Sequence, residues 1–187
     1  MVERYVILTI GKTHSGKSTF ARKLEKELEH TVVIDQDEHA VFLQSIYPLL
    51  VPKEGENILK YSITERIIEY TILNTTYHMI VCNANLQEAP RTRLMQQFQK
   101  HGFKVIAVKF DLPVHIIKNR IASSQRNTSI LRTVHSFEEV LHNQESIEVP
   151  EHVSGADIEF SIFDEKDVEI VIRKILTCIY CSATYGG

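Results

Sequence analysis

The sequence predicts an α/β protein in which a parallel sheet carries helices on both faces. Two observations predict it. Short apolar runs rich in β-branched residues alternate with longer amphipathic stretches along most of the 187 residues. The first of these runs, Tyr5-Val6-Ile7-Leu8-Thr9-Ile10, leads directly into Gly11-Lys12-Thr13-His14-Ser15-Gly16-Lys17-Ser18. That is the pattern G-x-x-x-x-G-K-[ST], which needs a strand before it and a helix after it.

The elements follow in order. Residues 5–10 are a short apolar run and read as a buried strand. Beyond the motif, Phe20, Leu24 and Leu28 recur at i, i+4 and i+8 among charged residues, the mark of an amphipathic helix. Thr31–Asp35 reads as a second strand, and residues 37–47 as a helix ending at Pro48. Pro52 and Gly55 mark a loop. Asn57 is placed to cap a long helix to about Thr75, with Leu59, Ile63, Ile67 and Ile68 on its apolar face. A third strand covers His78–Cys82, and a helix over 89–101 stops at Gly102. Phe103–Phe110 is a fourth strand, and Pro113 opens a helix to about Ala122. Residues 123–135 are polar and basic without a period, which suits a lid. Ser136 and Glu139 have the spacing of a capping box for a helix over 136–146. Asp157–Phe163 is a fifth strand, and Asp164 caps a last helix carrying Val168, Val171, Ile172, Ile175 and Ile179. The expected organisation is one domain over residues 1–181 with a disordered tail over 182–187.

The motif is a phosphate-binding loop. Gly11 and Gly16 permit backbone turns that a Cβ would obstruct. The loop N–H groups converge as a nest for an anion. Lys17 supplies a point charge for the β- and γ-phosphates, and the Ser18 hydroxyl can ligand Mg²⁺. The following helix presents its positive dipole end to the same phosphates.

Composition excludes several classes. Hydrophobic residues make up 43% and charged residues 24%, as in a globular protein. A net charge of −3 gives no bulk attraction to nucleic acid or to an anionic membrane. No apolar stretch approaches the ~20 residues of a membrane span, and residues 5–10 are too short for a signal peptide, so a cytoplasmic location is expected. Cys82, Cys178 and Cys181 do not form a disulfide framework. Cys178 and Cys181 are a lone C-x-x-C on a helix, two ligands short of a tetrahedral zinc site.

In a parallel sheet ligands gather beyond the carboxyl ends of the strands. After the second strand come Asp35 and Asp37, whose carboxylates can orient Mg²⁺ or accept a proton from an attacking hydroxyl. An acidic loop that merely caps the next helix fits the same residues. After the third strand come Asn83-Ala84-Asn85-Leu86, with no acidic residue closing the strand. A metal there leans on Ser18, on Asp35 or Asp37, and on nucleotide oxygens. Arg91 and Arg93 read equally as a solvated helix face or as substrate contacts. In the lid, Arg126 and Arg132, with Arg120 on the preceding helix, can bring positive charge to a transferring phosphoryl group.

Gly11–Ser18 with Thr19, Asp37 after the second strand, Asn85-Leu86 after the third, and Arg126…Leu131-Arg132 resemble the small phosphate-loop kinases. The nearest likeness is to phage-type polynucleotide 5′-kinases and zeta-toxin-like kinases. The resemblance spans most of residues 3–176, and only the loop itself is highly specific. It implies a P-loop NTPase fold, three layers α/β/α, with a five-stranded parallel sheet of order 2-3-1-4-5 and a short lid. It implies transfer of the γ-phosphate of ATP, with Mg²⁺, to a hydroxyl. Gly11, Thr13, His14, Ser15, Gly16, Lys17, Ser18, Thr19, Arg120 and Arg126 then hold the nucleotide. Lys17, Asp37 as base and Arg126 are catalytic, and Ser18, Asp35 and Asp37 face the metal. Polynucleotide kinases of this type carry arginine three residues past the base and aspartate at the end of the third strand. This chain has Ala40 and Asn83, which favours a small-molecule or nucleotide acceptor over a polynucleotide. The same two residues leave open a nucleotide-binding switch with weak hydrolysis.

Overall fold

In the computed structural model, which describes residues 3–131 and 133–184, five parallel strands form one sheet in the order β2-β3-β1-β4-β5. The strands are β1 (Arg4–Gly11), β2 (Thr31–Ile34), β3 (His78–Val81), β4 (Phe103–Phe110) and β5 (Ile158–Ile162). The helices between them are α1 (Lys17–Glu27), α2 (Gln36–Ile46), α3 (Ile58–Asn74), α4 (Glu88–Lys100), α5 (Val114–Ala122), α6 (Phe137–Glu145) and α7 (Glu165–Thr184). This is the α/β P-loop NTPase fold, in the strand order expected from the sequence.

Alternation along the strands builds a core on each face. From β1, Tyr5 and Ile7 join Phe20 and Leu24 of α1, Ile117 of α5, Leu141 of α6 and Ile172 and Ile175 of α7. Val6, Leu8 and Ile10 face the other way, toward Ile68 and Ile72 of α3 and Met95 and Phe98 of α4. Because β1 is central and buried on both faces, it lacks the polar alternation of a half-exposed strand. Each such side chain taken fully out of water contributes about 1.5–3 kcal/mol.

Most helix starts carry their expected caps. Asn57 accepts the Lys60 amide at 3.1 Å, Ser136 the Glu139 amide at 3.2 Å, and Asp164 the Lys166 amide at 2.6 Å. The capping box is displaced by one residue, since Glu139 accepts from His135 rather than from Ser136. Gly102, in the left-handed region at φ +77°, ends α4 with its amide on the Gln99 carbonyl at 3.0 Å.

Three expectations change. The buried face of α3 is Thr64, Ile68, Thr71 and Ile72, not a stripe through Leu59 and Ile63. Two threonines sit there because their hydroxyls donate back to the carbonyls of Lys60 and Ile67 and so enter the interior satisfied. Helix α7 continues to Thr184, past the expected domain end at 181, while residues 185–187 of the expected tail lie outside the described residues. Arg91 is neither solvated nor a substrate contact. It is 5% exposed, and its guanidinium donates to the Asn85 and Leu86 carbonyls, both at 2.8 Å. It thus holds the chain leaving β3. Arg93 is exposed.

Replacing Arg91 by alanine removes two charge-assisted bonds and strands two carbonyls. Arg91→Ala is expected to lower unfolding free energy by about 2 kcal/mol or more, measured by urea unfolding.

Candidate active site

Residues 11–18 pass from the end of β1 into α1 as the motif requires. Gly11 is the last residue of β1, and its amide donates to the Ala84 carbonyl at 2.9 Å. A Cβ on Gly11 would lie 2.8 Å from both the Cβ and the carbonyl oxygen of Phe110. Glycine is needed there for close packing against β4 rather than for a turn. Gly16 is the residue that needs conformational freedom, at φ +102°. His14 is also left-handed, at φ +54°.

The Lys17 ammonium folds over the loop, donating to the Lys12 carbonyl at 2.6 Å and the Ser15 hydroxyl at 3.3 Å. Burial pulls it down to about 8, from the ordinary lysine value near 10.5. The Thr13 amide is held by Gln144 of α6 at 2.7 Å. The His14 ring bridges Thr13 and Ser124 (3.0 and 3.1 Å) and lies edge-on to Phe137 with ring centroids 4.8 Å apart. Burial, then the charges of Arg126 and Lys17, lower its pKa. Thr19 is exposed, on the wall of the same cavity.

Asp35 and Asp37 divide the two readings given to them. Asp35 is 5% exposed and makes two contacts, one of them the helix cap. One oxygen accepts the Asp37 amide at 2.9 Å as the cap of α2, and the other accepts the Ser18 hydroxyl at 2.9 Å. The Ser18–Asp35 pair beside the loop offers hard oxygens of the kind Mg²⁺ prefers, few enough to leave room for waters and phosphate oxygens. The Asp37 carboxylate points elsewhere, to the Arg126 guanidinium at 2.7 Å. Among the described residues no group of three or more His, Cys, Asp or Glu side chains could hold a metal ion. Next to the pair is Cys82, its thiol 3.6 Å from the Ser18 oxygen and pushed up to about 11 by burial and by Asp35. Asn83 faces α2, its side-chain oxygen accepting the Gln36 amide at 3.3 Å.

Two arginines, one on α5 and one on the segment after it, lie beside the loop. Arg126 crosses from the segment after α5 to Asp37 and lies over the Phe137 ring, 4.9 Å from its centroid. Arg120 braces the loop, donating to the carbonyls of His14 and Ser15 (3.3 and 3.2 Å) and pairing with Glu165 at 2.8 Å. Arg132 lies outside the described residues. The loop, Asp35, Asp37, Arg120 and Arg126 line a single cavity of about 1120 Å³. Its walls also carry Lys60, Tyr61, Cys82, Phe137 and Gln144, which sequence reasoning missed. They belong to helices or strand ends that read as ordinary amphipathic pattern, and no motif marks them.

Known proteins share this arrangement at the level of family and fold. A family model described as an AAA domain matches residues 6–146, three-quarters of the chain. No curated protein matches it by sequence. Among solved structures, a provisionally named kinase from Chloroflexus aurantiacus superposes with a TM-score of 0.70 at 13% identity, over 93% of this chain and 97% of that one. Kti12 from Chaetomium thermophilum, in complex with ADP-AlF3, superposes at 0.62 and 17%, over 93% and 98%. APS kinase from Mycobacterium tuberculosis, with AMPPNP and APS, superposes at 0.56 and 16%, over 94% and 97%. At such identities these are likenesses of fold. The chain belongs to the AAA-domain family, with a P-loop kinase-like fold.

The depressed Lys17 gives a pH signature. A bound polyphosphate raises its pKa above the free value of about 8, so binding above that pH must take up a proton. ATP affinity is expected to fall as pH rises from 8 toward 9.5, by up to about tenfold per unit. Calorimetry across that range checks it, and in Lys17→Arg the fall should vanish.

Proposed function

We propose that this AAA-domain protein is a kinase that transfers the γ-phosphoryl group of MgATP to a hydroxyl of a small molecule or nucleotide. The observation that carries the reading is the cavity. It runs from the phosphate loop to a carboxylate, Asp37, on a different helix. At about 1120 Å³ it exceeds the roughly 300–1,000 Å³ of pockets that hold one small ligand, so a nucleotide and a second reactant fit together.

The loop amides and Lys17 hold the β- and γ-phosphates. Ser18 and Asp35 would hold Mg²⁺, which would neutralise charge on the phosphate oxygens. Asp37 orients the acceptor hydroxyl and takes its proton. The acceptor oxygen bonds to the γ-phosphorus while the bond from that phosphorus to the β–γ bridging oxygen breaks, and ADP leaves. Arg126 moves from Asp37 to the transferring group. Both partners of that pair are substantially exposed, 38% and 51% at the side chain, so its rupture costs at most about 1 kcal/mol. The ADP-AlF3 and AMPPNP held by two of the structural relatives support a nucleoside triphosphate as donor. Ala40 is buried in the packing of α2, 4% exposed. A side chain grows inward from that position, which argues against a grip on a polynucleotide there.

A nucleotide switch is the second reading, favoured by Asn83 standing where a carboxylate would strengthen metal binding. Two variants decide. Lys17→Ala is expected to weaken ATP binding at least about tenfold; unchanged affinity would overturn the site. With an acceptor identified by ADP release over a panel of hydroxyl compounds, Asp37→Asn should cut turnover by about 10²–10⁴-fold with ATP affinity kept. Full turnover in that variant would remove Asp37 as base. ATP binding with hydrolysis alone, and no phosphorylated acceptor, would establish the switch.

A further inference from the structure

Five cationic side chains of lysine or arginine line the cavity: Lys17, Lys23, Lys60, Arg120 and Arg126. Four have oxygen partners. Lys17 bonds loop oxygens, Lys23 pairs with Glu169, Arg120 with Glu165 and Arg126 with Asp37. Lys60 differs. It is half-buried in the first turn of α3, and its ammonium lies 4.6 Å from the centroid of the Tyr61 ring. It forms no ion pair among the described residues. The carboxylates whose fields reach it are Asp37 and Glu56. Asp37 is engaged by Arg126, and Glu56 is exposed. Burial outweighs both and draws the ammonium below the ordinary lysine value. A partly desolvated cation without a bonded anion carries an uncompensated cost, which an oxyanion arriving in the cavity relieves.

The backbone at Lys60 is tied to α2. The Thr64 hydroxyl donates to the Lys60 carbonyl at 2.9 Å and meets the His39 ring at 2.8 Å. A hydrogen-bonded chain thus joins α3 at Lys60 to α2 at His39, two residues beyond Asp37. An anion anchored at Lys60 sets the distance of an attached hydroxyl from Asp37.

We propose that Lys60, with the Tyr61 ring beside it, binds an oxyanion on the acceptor, so that the second substrate is a hydroxyl compound carrying a phosphate, sulfate or carboxylate. The inference rests on the kinase reading, and the test separates the two. The protein is first saturated with AMPPNP and Mg²⁺, which fills the phosphate loop, and is then titrated with inorganic phosphate by calorimetry. Wild type is expected to bind phosphate. Lys60→Gln should weaken it about tenfold or more, while Lys60→Arg keeps most of the affinity. Thermal melting of each variant is run beside the titration to show that the fold is retained.

Phosphate that binds wild type and Lys60→Gln alike overturns the proposal, as does no binding to the AMPPNP complex. So does a Lys60→Gln variant that loses AMPPNP instead, because Lys60 then belongs to the donor site. Failure of AMPPNP to bind wild type removes the kinase reading, and this inference with it. Once an acceptor is known, matched pairs with and without the anionic group, such as a nucleoside and its 5′-monophosphate, give a second readout. Lys60→Gln is expected to raise KM about tenfold for the charged member alone. An equal rise for both members counts against the proposal.

Discussion

Asp35 accepts the Ser18 hydroxyl with one oxygen and the Asp37 amide with the other, and does so nearly shielded from water. That pair of hydrogen bonds joins two elements that share no sequence: the start of α1, which follows the phosphate loop, and the start of α2, which carries Asp37. It also fixes a negative charge where a magnesium–phosphate complex would need one. The sheet places Asp35 there by register. β2 pairs with β3 from Thr31↔His78 to Ile34↔Val81, and β3 with β1 as far as Leu8↔Val81. β2 and β3 therefore end at the level of Leu8, three residues before β1 ends, and the segments leaving the three carboxyl ends gather at one end of the sheet.

Residues from α5 to α6 add further contacts to the same region. Arg126 reaches Asp37, Arg120 supports the loop carbonyls, and Gln144 occupies the Thr13 amide. Each contact joins α5, α6 or the segment between them to the phosphate loop or to α2. The Phe137 ring sits at the meeting point of these contacts, with His14 on its edge and Arg126 over it.

The fold was legible because β1 and the loop form a motif whose context is obligatory, and because the strands are short apolar runs between capped helices. Asn57, Ser136 and Asp164 cap where their side chains allow. Legibility failed where a residue's role depends on what lies across space. Arg91 reads equally as a solvated face or a substrate contact, yet it holds two carbonyls in the interior. Thr64 and Thr71 broke the apolar pattern of α3 because a hydroxyl bonded to its own helix is tolerated inside. Gly11 looked like a turn residue, and the packing of Phe110 against it cannot be inferred from one strand. Lys60, Tyr61 and Gln144 carry no local signal, since their significance comes only from facing the loop.

The central position of β1 has a consequence for how the molecule is assembled. β1 pairs with β4 from Arg4↔Phe103 to Gly11↔Phe110, so the residues that frame the cradle stand about a hundred positions apart along the chain. During synthesis the loop is made long before its frame, and bringing them together is a distant closure of the kind that folds slowly. The shape of the phosphate cradle therefore depends on a contact between β1 and β4 that no local stretch of the chain supplies.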